Sequence, residues 1–304
     1  MSDPAAFARG AITSLPTPFR DGVIDLVGLD RLVQHQARHP VSAIVVGGAT
    51  GEGWSLDADE VGQLVARASE TAAEHSRYRI HVVAGICEAD SQRAARLARH
   101  AALAGADALL VGAPPFVRPS KTGLVRHVRT IADGLAAPLP IVLVNEPPRT
   151  GSDLTPAVVE RICESVESVV AHCEGIGRPS RARGLAEDLP VPLLAGDDRL
   201  LGPYLRGGAV GAITTIGNLV PGEVVRLVEA IRSEDSESDA VERGLAPLVD
   251  ALRVASNPVP IKAALAALDA IEPEVRAPLA ELSDRERRGL ARALTLARLL
   301  VPSS

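Results

Sequence analysis

Short β-branched and apolar runs alternate along this chain with amphipathic helical stretches, and that rhythm limits the folds open to it more than any other feature. Eight such runs occur, at 11–15, 42–47, 80–85, 106–112, 140–145, 168–173, 192–196 and 210–214. Strand-length runs alternating with helices predict βα units and a parallel sheet. Eight units in 304 residues match a (β/α)₈ TIM barrel, which occupies about 250 residues or more as one core.

The helical periodicity between the runs is clear. Leu29, Leu32, Val33 and Gln36 form one stripe, Val61, Leu64, Val65 and Ala68 another, as outer helices facing a barrel require. Beyond the eighth run the stretches 222–231, 240–254, 260–268 and 283–300 read as the last barrel helix and a C-terminal helical extension, with 234–239 as an acidic solvated loop. No Ser/Gly linker intervenes, so residues 1–304 read as one α/β domain, a barrel over 10–232 and an extension over 233–304.

Composition removes several function classes. A net charge of -6 with scattered arginines leaves no basic stripe to neutralise phosphates, so nucleic acid is not an expected partner. No apolar run is long enough to cross a bilayer, and residues 1–10 lack the basic and apolar regions of a leader, so the chain is expected in the cytoplasm with no membrane partner. Cys87, Cys163 and Cys173 are widely spaced, which fits neither a disulfide framework nor a Cys-x-x-Cys metal site. No metal or cofactor is expected. Of the 32 basic residues only Lys121 and Lys262 are lysines, so candidates for amine chemistry are few.

In such a barrel the site lies in the loops after the strands. The second run leads into Gly47-Gly48-Ala49-Thr50-Gly51-Glu52, where glycines let backbone amides approach an anion closely. The fifth leads into Leu143-Val144-Asn145-Glu146-Pro147-Pro148-Arg149-Thr150-Gly151 and the seventh into Gly196-Asp197-Asp198. The eighth carries Gly207-Gly208-Ala209-Val210-Gly211-Ala212-Ile213, and Asn257-Pro258-Val259-Pro260-Ile261-Lys262 follows in the extension. In this order, and with Pro16-Thr17-Pro18-Phe19 near the start, the motifs resemble the dihydrodipicolinate synthase and N-acetylneuraminate lyase family over nearly the whole chain.

That resemblance implies condensation or cleavage of an α-keto acid through a Schiff base to a lysine at the end of strand six. An amine suits the task because its iminium withdraws electrons from the neighbouring carbanion. The matching position here is Cys173, and a thiol forms no iminium. The family's relay tyrosine of strand five falls on Val144. The tyrosine after strand four falls on Phe116 or, with a shift of one, Val117, and the relay hydroxyl after strand two falls on Ala49. Lys121 and Lys262 lie away from the strand ends.

The binding parts persist: the amides of Ala49, Thr50 and Gly51 for a carboxylate, Ile213 in strand eight, and Arg149, which matches the family's contact to a second carboxylate and otherwise reads as a surface arginine. Alternation along strand five puts Glu146 on the face of Val144, so Glu146 either enters the pocket near Cys173, where burial raises a carboxyl pKa, or turns outward into solvent. Cys173 reads as a buried small hydrophobe or as a nucleophile, with His172 on the opposite side of its strand. Trp54 reads as a packing residue. The resemblance implies a homo-oligomer, a tetramer or dimer, and the residues predict that it binds a small carboxylate or keto acid but is inactive as a pyruvate aldolase. The alternative is a lyase or hydratase using Glu146 and Cys173.

Overall fold

The computed structural model describes residues 5–299; residues 1–4 of the leader reading and residue 300 of the last helical stretch lie outside them. Eight parallel strands close into a barrel: β1 (Ala11–Ser14), β2 (Ala43–Val46), β3 (His81–Ile86), β4 (Ala108–Gly112), β5 (Ile141–Asn145), β6 (Val169–Glu174), β7 (Leu193–Ala195) and β8 (Gly211–Thr214). Each pairs with its sequence neighbours and β8 returns to β1, with Ala11 opposite Ala212 and Ile12 opposite both Ile213 and Ala43. All eight runs read from the sequence are strands, and none is displaced by more than two residues.

The helices between them are α1 (Leu26–Ala37), α2 (Ala58–His75), α3 (Ser91–Leu103), α4 (Lys121–Asp133), α5 (Pro156–Ser165), α6 (Ala182–Asp188), α7 (Leu201–Arg206) and α8 (Pro221–Arg232). Their starts are written in the sequence. Asp25, Asp90 and Ser120 accept N–H groups of the first turns of α1, α3 and α4, and Asp57 with Glu60 closes a reciprocal capping box on α2, each such cap being worth about 1 kcal/mol. The buried stripe of α1 includes Leu29, Leu32, Val33 and Gln36, as its spacing requires.

Strand alternation divides the core in two. Ile12, Val45, Val83, Leu110, Val142, Cys173, Leu194 and Ile213 fill the barrel interior, while Ile44, Leu109, Ile141, Leu143 and Leu193 pack outward under the helices. Phe7 and Ala8 join the interior cluster from below, so the barrel is a filled core and not a channel. A bulge slips the β5–β6 register between Ile141 and Val142, so Val142 faces Ala171, Val144 faces Cys173 and Asn145 faces Glu174. This sets Cys173 inward and His172 outward, opposite Leu143 and Leu193.

After α8 the chain continues through α9 (Ser238–Ala251), α10 (Val259–Ala267) and α11 (Asp284–Leu296), with 234–237 exposed at the connection. The sequence reading missed a two-stranded ribbon, Phe19–Arg20 with Val23–Ile24. Asp21 and Gly22 turn it at φ of 53° and 78°, and Asp-Gly is the residue pair a two-residue hairpin turn favours. Among the described residues no helix is long and apolar enough to cross a membrane.

Candidate active site at the barrel mouth

The C-terminal strand ends open on a cavity of about 400 Å³ whose walls include Glu146, Arg149, Gly175, Gly196, Asp197, Asp198, Thr215 and Asn257. Its residues come from four loops and from the extension.

After β2 the chain folds back on itself from Gly47 to Gly53. Gly47 has a φ of 65°, which a side chain rarely adopts, and any Cβ on Gly53 collides with the Gly47 carbonyl. The turn's own bonds run from the Glu52 N–H to the Ala49 oxygen at 3.4 Å and from the Gly53 N–H to the Gly48 oxygen at 3.0 Å, and leave the N–H groups of Ala49 and Thr50 outside them. Thr17 donates its hydroxyl to the Gly51 oxygen at 2.6 Å. The buried Thr50 hydroxyl accepts from Asn257 Nδ2 at 2.9 Å and lies 3.4 Å from that of Thr215.

After β5, Pro147–Thr150 makes one helical turn. It sets the Arg149 guanidinium 3.8 Å from the Glu146 carboxylate and donates from it to the Asn257 oxygen at 3.2 Å. Glu146 therefore takes the inward alternative into the mouth, with its side chain 31% exposed. Burial pushes its carboxyl above the usual range, Arg149 opposes that, and Asp197 adds to it.

The mouth holds a second perturbed carboxyl that sequence reasoning left without a role. Asp198 accepts the Ile216 N–H at 2.8 Å and the Thr215 N–H at 3.1 Å. Burial nevertheless outweighs these bonds and pushes its pKa up to about 7. Asp197 is ion-paired with Arg199. Two carboxyls that ionise reluctantly in one mouth are suited to proton transfer.

Cys173 lies under this cavity in the interior cluster, 1% exposed. Burial, then the charges of Glu146 and Glu174, hold its thiol well above 9.0. A thiol so disfavoured as thiolate is a poor nucleophile. Val144 and Ile213 pack in the same cluster. Cys87, just past β3, also senses Glu146 and is pushed up to about 12, chiefly by burial.

Other candidates stand apart. Phe116 and Val117 are 89% and 58% exposed and do not line the cavity. Trp54 is 41% exposed. Lys121 opens α4 on the surface, whereas Lys262 is fully buried and paired with Glu52. Asp198, Thr215 and Asn257 were the residues missed. The Gly-Asp-Asp and Asn-Pro segments were noticed as motifs, but nothing in their spacing showed that they meet.

The family model described as the dihydrodipicolinate synthetase family matches residues 7–297. A 4-hydroxy-tetrahydrodipicolinate synthase of Pelobacter propionicus is 36% identical over 93% of this chain and 96% of its own, and further curated relatives carry the same name. A crystal structure of dihydrodipicolinate synthase from Aquifex aeolicus superposes with a TM-score of 0.90 at 30% identity, over 97% of this chain and 99% of its own. A structure titled as the first monomeric dihydrodipicolinate synthase variant gives 0.91 at 31%, over 98% and 99%.

These likenesses correct two expectations. The resemblance narrows from a family that included N-acetylneuraminate lyase to the synthase. The forecast of a barrel inactive as a pyruvate aldolase, with its hydratase or lyase alternative using Glu146 and Cys173, is overturned by 34–36% identity, over 93–94% of this chain, to proteins named for synthase activity. The physical source of the error is that Cys173, Val144, Phe116 and Ala49 were weighed as the whole proton-transfer apparatus. Glu146 and Asp198, both with raised carboxyl pKa values, stand in the mouth. The chain belongs to the dihydrodipicolinate synthetase family.

Proposed function

We propose that this chain is an active enzyme that forms or breaks a carbon–carbon bond beside the keto group of a small α-keto acid, without an amine at the strand-six position. The observation that carries the activity is the 36% identity, across nearly the whole chain, to a relative named 4-hydroxy-tetrahydrodipicolinate synthase. The amides of Ala49, Thr50 and Gly51 receive the keto acid's carboxylate, and Arg149 receives a carboxylate on the second substrate. Glu146 moves the proton at the reacting carbon, since a carboxyl whose pKa is raised by burial is suited to act as acid and base in turn. Asp198 protonates the acceptor's carbonyl oxygen as it becomes a hydroxyl, and takes that proton back in the cleavage direction. Cys173 stays protonated as part of the apolar floor with Val144 and Ile213. The reading uses no cofactor and places the enzyme in the cytoplasm, as a homodimer or homotetramer in which barrel and extension act as one unit. Phe116 and Val117, both apolar and exposed, are available to such an assembly.

The test is turnover of pyruvate with aldehyde acceptors, with and without a carboxylate, alongside borohydride trapping read by intact mass. Turnover with unchanged protein mass is the expected result. No turnover with any acceptor sinks the activity, and an adduct on Lys121 or Lys262 sinks the amine-free route.

A further inference from the structure

Beneath the mouth lies a polar cluster for which the chemistry above has no use. Glu52, at a φ of 53° in the tightest part of the turn, is fully buried. Its Oε1 accepts from Lys262 Nζ on α10, and its Oε2 accepts the Arg276 N–H at 2.8 Å. Lys262, also fully buried, donates to the Glu274 oxygen at 2.7 Å and stands 4.3 Å from the centre of the Phe19 ring. The Arg276 guanidinium covers that ring at 4.3 Å, donates to the Ser55 oxygen at 2.9 Å and pairs with Glu60. Above, Asn257 of the same C-terminal segment holds the Thr50 hydroxyl. One stretch, 257–276, therefore grips the loop after β2 at Thr50 from the mouth side and at Glu52 from the core side, two residues apart.

The residue type is informative. Thirty of the 32 basic residues are arginine, yet this buried position carries lysine. An ammonium has three donors on a point charge, and the site offers three receivers: a carboxylate oxygen, a carbonyl oxygen and an aromatic face. A guanidinium brings five donors in a rigid plane, and Glu52, Glu274 and Phe19 leave the surplus donors unpaired in a site with no solvent.

We propose that Lys262, acting through Glu52, is a positioning residue of the mouth: it fixes the Gly47–Gly53 turn, and with it the carboxylate-receiving amides, without touching any ligand. The ligand part of this inference rests on the reading of the turn as a carboxylate cradle; the clamp itself does not. Released from Glu52, the turn keeps its internal bonds, the Thr17 contact at Gly51 and the Asn257 contact at Thr50, but loses its core-side anchor, and its amides exchange with solvent by local opening.

Hydrogen exchange on the full chain separates the two. Because removing one partner strands a buried charge, the test variant is the double replacement Glu52→Gln with Lys262→Met, beside Lys262→Arg. The double variant is expected to keep the exchange of β3 and β4 while the amides of 48–53 exchange about tenfold or more faster, as local opening requires. Its pyruvate dissociation constant, read by calorimetry, should rise about tenfold, or about 1.4 kcal/mol. Lys262→Arg should fail to restore protection. Unchanged exchange at 48–53, a uniform rise across the whole barrel, or wild-type protection in Lys262→Arg overturns the proposal. If the unaltered chain binds no pyruvate, the cradle reading fails, while the exchange pattern still decides the clamp.

Discussion

Replacing Asp198 by asparagine should flatten one stretch of the pH–stability curve, between its ordinary pKa of 3.8 and its folded value of about 7. Below 3.8 both folded and unfolded chains hold this proton. Between 3.8 and about 7 the unfolded chain has released it while the folded chain retains it, so rising pH favours unfolding through that window; above it the penalty is constant. The window spans about 3 pH and each is worth about 1.36 kcal/mol, giving a ceiling of about 4 kcal/mol, lowered in practice because Asp198 is only half-buried in the open mouth. Asparagine keeps one oxygen for the Ile216 N–H but turns an amide donor toward the Thr215 N–H, a constant cost of about 1–3 kcal/mol. The shape of the curve, not its height, therefore carries the test. Urea unfolding at pH 4.5, 6 and 8 for both proteins isolates Asp198, because every other group cancels in the difference. Parallel curves would show that the carboxyl is solvated and ordinary, and would remove it from the proposed proton chemistry.

Three further outcomes follow from the same geometry. Arg149→Ala should weaken binding of a carboxylate-bearing acceptor by about 1.5–3 kcal/mol, as expected for a charge-assisted contact; equal calorimetric affinity in the variant would make Arg149 structural. Glu146→Gln should lower kcat by roughly 10²–10⁴-fold with little change in KM, the usual worth of a placed acid or base, and a loss confined to KM would reassign it to binding. Cys173→Ala should leave turnover within a few-fold and lower stability slightly, since the thiol is held protonated in an apolar floor; a loss beyond about 100-fold would mark it as a nucleophile despite its burial.

The barrel was legible because its signals are local. Each strand is a short apolar run, and the first four helices and the last start at an Asp or Ser cap, so the element order points to the closed sheet. The misreadings have equally local causes. The ribbon at Phe19–Ile24 has only two residues in each strand, too few for a period to register, and its one signal was Asp21-Gly22. The helix expected over 240–254 starts two residues earlier and ends at Ala251; Leu252 and Val254 carry the apolar pattern past its end.

The site divides along the same line, between what one strand displays and what several segments assemble. Alternation was enough to put Cys173 inward and His172 outward, and it offered the inward placement of Glu146 as one of two choices. It gave no access to Asp198, whose raised pKa depends on burial in the mouth and on amides donated by the loop after β8, nor to Asn257, which reaches Thr50 across 207 residues. Four substitutions read in isolation therefore looked like the removal of a mechanism. Proton transfer requires a group of suitable pKa at the reacting atom, whatever strand supplies it, and the two carboxyls with raised pKa values are brought to one mouth only by closure of the barrel. Lys262 shows the converse: its sequence position, far from any strand end, set it aside from the site, while its contact with Glu52 ties it to the turn on which the proposed cradle depends.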